Sequence, residues 1–193
     1  AAEPCLKVGG ETCWVAPAKK ECWAVSSSDL APMLVAFDAR VDLMGPTGRR
    51  SISLEDLYRN DGMAYLTKRS DEILTKIVLP PHGNVQATYK KLRRRGSIDF
   101  PILGVAVALA IDAEGVCTSG RIVLGSVASA PLRVHGAEEI LRGRPLDSDT
   151  IADVSEAARK FARPLNNTDL TSRYRKRMIP VYVTRAMEDL VEG

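Results

Sequence analysis

Three cysteines, Cys5, Cys13 and Cys22, lie close together near the start of the chain, in CLKVGGETCWVAPAKKEC, and a fourth, Cys117, lies far away. Thiols gathered in this way ligate a metal or cluster, form disulfides, or do no chemistry at all. No CxxC pair occurs, which argues against a zinc ribbon or a thioredoxin-type redox site. Disulfides require an oxidising compartment, and nothing in the sequence demonstrates one. An iron–sulfur cluster normally takes four thiolates, so three would need a ligand from elsewhere. Spacing alone leaves ordinary thiols, a metal or cluster site and disulfides all open. Cys117 sits inside an apparent hairpin strand and reads as a small buried hydrophobe.

The second candidate is the basic run YKKLRRRGS, where Lys90, Lys91, Arg93, Arg94 and Arg95 crowd together. Such a run suits phosphate, whether of nucleic acid or of a dinucleotide, but its usual fate is a solvated strand or a subunit contact. Only 5% of the residues are aromatic, and no nucleic-acid motif accompanies the cations. Glycine-rich phosphate loops, HExxH and GxSxG are absent. His82 and His135 stand alone, and Asp71, Glu72 and Asp99 have no partner at a telling spacing.

These residues must be carried by elements the pattern allows. Residues 1–27 are turn-rich. Ser28 and Asp29 offer N-caps to a short helix in LAPMLVAFDA. ARVDLM and RSISL flank GPTG as a hairpin, SLEDLYRN gives a helical turn or two, and DEILTKIVLP reads as a strand ending at Pro80. PPHGN marks a subdomain boundary at 80–84. Beyond it, ATYKKL is a strand, and ILGVAVALAID and VCTSGRIVLGSVA form a hairpin about DAEG. Helices follow: VHGAEEILRG, then SDTIADVSEAARKFA with Ile151, Val154, Ala158 and Phe161 on one face. The last is TDLTSRYRKRMIPVYVTRAMEDL, with Thr168 as cap and Pro180 as a kink. Strands first and helices last is an α+β order.

The 193 residues allow one large domain or two small ones, and 45% hydrophobic with 26% charged residues is an ordinary globular composition. A net charge of +3 is too weak to name nucleic acid or membrane as partner. No apolar run reaches the roughly 18 residues of a transmembrane span, so a soluble, cytoplasmic protein is expected. The opening AAEPCLKVGG has neither an initiator Met nor a signal-peptide core, and reads as a chain entered partway.

Several stretches, in order, resemble the flavin-binding subunits of the molybdenum hydroxylase family: CWAVSSSDLAPMLVAFDARVDLMGPTGRRSISLEDLY, DEILTKIVLP, YKKLRRRGSIDFPILGVAVAL, GRIVLGSVASAPLRVHGAEEILRG and YRKRMIPVYVTRAMEDL. That family includes carbon monoxide dehydrogenase medium subunits, the flavin domain of xanthine dehydrogenase and the beta subunit of 4-hydroxybenzoyl-CoA reductase. The cysteine-rich opening resembles the last of these most closely, whose inserted loop carries a [4Fe–4S] cluster. Cys5, Cys13 and Cys22 are similar to three of its four ligands, and the fourth is expected upstream of Ala1.

The resemblance implies an α+β fold. Residues 1–80 would be the later part of an FAD-binding (PCMH-type) subdomain, with the cysteine-rich loop at 1–27. Residues 81–193 would be a CO dehydrogenase flavoprotein C-terminal-like subdomain, a three-stranded antiparallel sheet with helices. It implies FAD contacts at Asp29 (flavin ribityl or ribose hydroxyls), Leu74 (isoalloxazine packing) and Lys90 (a cation near the flavin), with the rival readings of helix cap, strand core residue and solvated lysine. No residue would be catalytic towards the organic substrate. The implied job is electron transfer in a molybdenum-containing oxidoreductase, between ferredoxin or another redox partner, the [4Fe–4S] cluster, FAD, and a [2Fe–2S] small subunit and molybdenum-cofactor large subunit. Reductive dehydroxylation of an aromatic thioester would be the end reaction. The alternatives are a hydroxylase flavin subunit with incidental cysteines, and a non-enzymatic anion- or nucleic-acid-binding module. By itself, this stretch of chain is expected to bind neither FAD nor a complete cluster tightly.

Overall fold

The computed structural model describes residues 3–192, and the elements follow the expected order. After a single 3-10 turn at Leu6–Val8, the first helix is α1 (Leu30–Ala36), followed by the hairpin β1 (Arg40–Gly45) and β2 (Gly48–Ser53). A one-turn helix α2 (Leu54–Leu57), capped by Ser53, leads to β3 (Ile73–Val78). These three strands form an antiparallel sheet in the order β2-β1-β3. β4 (Val85–Leu92), β5 (Leu103–Ile111) and β6 (Val116–Gly125) form the second antiparallel sheet. Two short strands extend it, β7 (Leu132–Arg133) and β8 (Arg144–Pro145), both paired with β6. Helices α3 (His135–Leu141), α4 (Ser148–Phe161) and α5 (Ser172–Glu192) complete the chain.

The second sheet is organised by a size alternation along LGVAVALAI. Leu103, Val105, Val107 and Leu109 point into a core with Val154, Ala158, Ile179 and Val183 of α4 and α5. The intervening Ala106 and Ala108 lie in a second core with Val35 and Ala36 of α1 and with Val41 and Leu43 of β1. Period-two alternation sends large and small side chains to opposite faces, so one strand serves both layers. Each fully buried Leu or Val contributes about 1.5–3 kcal/mol. On the small-residue face α1 comes close: a Cβ added at Gly125 would meet Pro32 Cγ at 2.9 Å. Asp38, with φ 52, ends this helix and pairs with Arg121 and with Arg133, which in turn holds Glu138 of α3.

Several local expectations are corrected. The cap of α1 is Ser28, whose Oγ accepts from Ala31 N at 3.1 Å, while Asp29 makes no capping bond. α5 starts at Ser172 rather than near Thr168, and Thr171 Oγ1 accepts from Tyr174 N. Phe161, expected in the core, is 46% exposed, and Ala162 just beyond the helix is buried instead. β3 is unlike a core strand, since Ile73 is 70% exposed and Ile77 and Leu79 are also exposed. No helix among the described residues is long and apolar enough to cross a membrane.

Glu72 fixes the entry to β3. Arg50 Nε and Nη2 donate to its two carboxylate oxygens at 2.7 and 3.0 Å, Arg69 N donates at 2.7 Å, and Lys68 Nζ reaches its carbonyl. The bonds from Arg50, then that from Arg69, outweigh burial and hold the carboxyl at about 2, below its ordinary 4.5. A depressed carboxyl stabilises the fold fully above its unfolded value and loses that contribution as pH falls through its folded value. Glu72→Gln should therefore lower stability at neutral pH, with the gap to wild type narrowing as pH falls from 4.5 to about 2. Urea unfolding across that window measures it, and a gap that does not change with pH would contradict it.

Candidate cofactor-binding site

The cysteine segment has little regular structure of its own and is held by hydrogen bonds from elsewhere. Cys22 N donates to Asp61 Oδ1 at 3.2 Å, and Cys22 O accepts from Gly62 N and Ser129 Oγ. Trp23 O accepts from Asn167 Nδ2 at 2.6 Å. Asn167 is oriented from behind by the fully buried Arg175, whose Nη1 donates to Asn167 Oδ1 at 3.2 Å and to Leu165 O at 2.7 Å. The same guanidinium donates to Ile102 O at 3.1 Å and to Ser126 O.

So anchored, the segment folds around a cavity of about 200 Å3, with Cys5, Cys13, Cys22, Trp14, Trp23 and Asn167 among the residues that line it. The three cysteines, distant in sequence spacing from any compact motif, thus line one cavity. Cys13 and Cys22 are buried, Cys5 is half-buried, and all are free thiols. Burial pushes the Cys13 thiol up, but hydrogen bonds from the backbone amides of Trp23, Val15 and Ala16 outweigh it and leave the thiol below its ordinary value. Amide donors on a sulfur favour the thiolate, the form that ligates metal. Among the described residues, no three His, Cys, Asp or Glu side chains converge tightly enough to hold a single metal ion. Cys117 lies in the helix-facing core, where burial raises its thiol.

Asp29 lies at a second cleft, of about 220 Å3, formed with Ser27, Arg95, Ile98, Asp99 and Phe100. Because Ser28 caps the helix, the Asp29 carboxylate is available to other partners. Tyr89 Oη donates to Oδ1 at 3.1 Å and Lys91 Nζ lies 2.6 Å from Oδ2. Burial first, then the Asp29 charge, pushes the Tyr89 hydroxyl well above its ordinary value, so it remains a donor. Lys90 is not brought to this place. It points the other way from β4 and pairs with Asp189 of α5. Leu74 lies on β3, opposite the buried Leu43, and is 37% exposed. The structure therefore joins Asp29 to Tyr89 and Lys91, and places Leu74 and Lys90 on other surfaces. Strict alternation in the strand would have separated Lys90 from Lys91. The basic run is also largely neutralised, since Lys90, Lys91, Arg94 and Arg95 pair with Asp189, Asp29, Asp169 and Asp99.

Gly104 makes this arrangement possible: a side chain there would run into the Tyr89 hydroxyl. Gly104→Ala should cost about 1–3 kcal/mol, as overpacking does, and should displace Tyr89 from Asp29. Denaturant titration together with a structure of the variant tests this, and an unmoved Tyr89 in a fully stable variant would refute it.

Residues 87–190 match the family model for the CO dehydrogenase flavoprotein C-terminal domain, and residues 8–82 match that for the FAD binding domain in molybdopterin dehydrogenase. The carbon monoxide dehydrogenase medium chain of Afipia carboxidovorans is 30% identical over 83% of this chain and 55% of its own length. The xanthine dehydrogenase FAD-binding subunit of Escherichia coli O157:H7 is 24% identical over 88% of this chain and 58% of its own. Among solved structures, reconstituted CO dehydrogenase from Oligotropha carboxidovorans superposes with a TM-score of 0.75 at 30% identity, covering 83% of this chain and 55% of that one. The chain spans about half the length of the curated relatives it matches.

Proposed function

The chain belongs to the family of FAD-binding subunits of molybdenum hydroxylases, and on that premise we propose that it is an electron-transfer subunit of the 4-hydroxybenzoyl-CoA reductase type, with a [4Fe–4S] cluster in its cysteine cavity. The observation that carries the reading is that Cys5, Cys13 and Cys22 line one cavity, with amide donors on the Cys13 sulfur. Those donors suit a negatively charged, sulfur-rich guest. Cys117 is remote in the other core, so the fourth coordination position is assigned to a group outside these residues. The cluster would supply one-electron chemistry. The chain's part is to hold three thiolates, restrict solvent around them and supply the amide donors.

For FAD, the proposal assigns residues 1–80 to the later part of the flavin-binding subdomain and 81–193 to the C-terminal one. Asp29 would accept hydrogen bonds from ribityl or ribose hydroxyls, kept anionic and oriented by Lys91 and Tyr89. Leu74 would present an apolar contact to the isoalloxazine, and Lys90 would supply a cation only by leaving Asp189. The flavin supplies two-electron and one-electron exchange when bound. The assembly would be cytoplasmic, with a molybdenum-cofactor large subunit, a [2Fe–2S] small subunit and ferredoxin as electron source. Exposed Ile73, Phe100 and Ile98, the last 95% exposed, support a surface covered by other protein.

A second reading, a CO dehydrogenase or xanthine dehydrogenase type flavin subunit with incidental cysteines, is favoured by the names of the relatives themselves. Metal analysis of the complex purified anaerobically separates the two. About four irons and four labile sulfides above the [2Fe–2S] content, per flavin, are expected. Cys13→Ser should lower that excess while retaining the flavin. Flavin with no excess iron would leave the second reading and make the three thiols ordinary.

A further inference from the structure

The end of α4 and the start of α5 form a corner that concentrates positive charge. Arg159, Lys160 and Arg163 come from one side of it, and Arg173, Lys176 and Arg177 from the other. Burial first, then the charges of Arg163 and Arg159, hold the Lys176 ammonium below its ordinary value, so the two sides stand close together. Among the described residues only Glu156 pairs with any of the six, taking Arg159 and Lys160. Six cations against one carboxylate leave +5 here, in a chain whose net charge is +3, so the remainder is net −2. This crowding works against the fold. Arg173, in the first turn of α5, opposes the helix dipole, and Lys176 and Arg177, three and four residues on, repel it. The same corner carries three exposed apolar side chains, Phe161 at 46%, Leu170 at 38% and Tyr174 at 43%. Leu170 has φ 63, a left-handed conformation costly for a bulky residue, so the backbone is strained where this side chain reaches solvent.

We propose that this corner docks an acidic face of another protein subunit, with Phe161, Leu170 and Tyr174 as apolar contacts among the cations. The inference rests on the multi-subunit reading above and is independent of what the cysteine cavity holds. Protein interfaces combine an apolar centre with a polar rim and are rich in tyrosine and arginine. Carboxylates on the partner would pair with the guanidinium groups and relieve the repulsion that the corner stores. A nucleic-acid duplex or an anionic bilayer presents its charge over an extended area, which the net negative remainder of this chain resists. A compact acidic face meets the corner alone.

The test uses the intact purified complex, its dissociation on dilution read by analytical ultracentrifugation at rising salt. Melting temperature and flavin content of each variant are checked first. Arg173→Glu with Arg177→Glu should weaken the hold of this subunit on the rest by about tenfold or more. Tyr174→Ala should weaken it by about tenfold. Arg59→Glu with Arg142→Glu makes the same charge change on exposed cations elsewhere and should leave it within about twofold. Arg173→Gln with Arg177→Gln, a milder change, should flatten the salt dependence, and it decides the matter if the reversed pair unfolds. Unaltered assembly in the corner variants, or equal weakening by both charge-reversed pairs, would overturn the corner as a docking site while leaving the subunit reading in place. A wild-type protein that purifies with no partner subunit would overturn both. Binding to a fluorescent DNA duplex or to phosphatidylglycerol vesicles that the Arg173 and Arg177 pair abolishes, with assembly unchanged, would assign the corner to phosphate and overturn the protein partner.

Discussion

A single buried cation, Arg175, ties together the loops that hold the cysteine segment in place. It is fully buried and faces carbonyls and one carboxamide oxygen, with no carboxylate among its hydrogen-bond partners in the described residues. The carbonyls it serves are where backbone ladders stop: Ile102 just before β5, Ser126 just after β6, and Leu165 in the connection between α4 and α5. An arginine offers five N–H groups in a planar fork, so it can satisfy several diverging acceptors where a lysine would leave some unpaired. Burial lowers its value to about 10, which still leaves it charged at neutral pH. Without it, several buried carbonyls would be left unsatisfied, at about 1–3 kcal/mol each.

From that point the constraint passes outward. Arg175 fixes Asn167, Asn167 holds the Trp23 carbonyl, and Asp61, Gly62 and Ser129 hold Cys22. A segment with one 3-10 turn of its own thereby gains a defined shape without building a core. The cleft at Asp29 depends on a different constraint, the alternation along β5. Small residues on one face let α1 settle against the sheet, and this brings Asp29, one residue before the helix, over Tyr89 and Lys91 of β4. Tyr89 in turn requires Gly104 on the neighbouring strand.

Local pattern made most elements legible in the sequence. GPTG and DAEG both turn hairpins, and the apolar spacing of Ile151, Val154 and Ala158 does mark the buried face of α4. What escaped was long-range. Glu72 meets Arg50 across the first sheet, and Arg175 collects acceptors from three distant loops, so neither has a signature at short spacing. The choice between Ser28 and Asp29 as cap was decided by the backbone, since Asp29 already has helical φ -77 and ψ -37, which a string of four polar residues does not reveal. Lys90 and Lys91 are the instructive pair. The strand was legible and its alternation separates them, but which of the two faces α1 depends on how the sheet packs. The three cysteines were conspicuous as residue types, yet their meeting at one cavity depends on Asn167 and Ser129, far along the chain.

The cysteine cavity and the helix-facing core treat their thiols differently. Buried thiols are weak hydrogen-bonding groups and pack readily as small hydrophobes, as Cys117 does in the helix-facing core. Burial also pushes the Cys13 thiol up, but nearby backbone amides outweigh it and leave it below its ordinary value, whereas Cys117 is raised. Cys13 and Trp23 line the same space as Cys5 and Cys22. The lining of that space is thus set from a distance, by Ser129 on the Cys22 carbonyl and Asn167 on the Trp23 carbonyl.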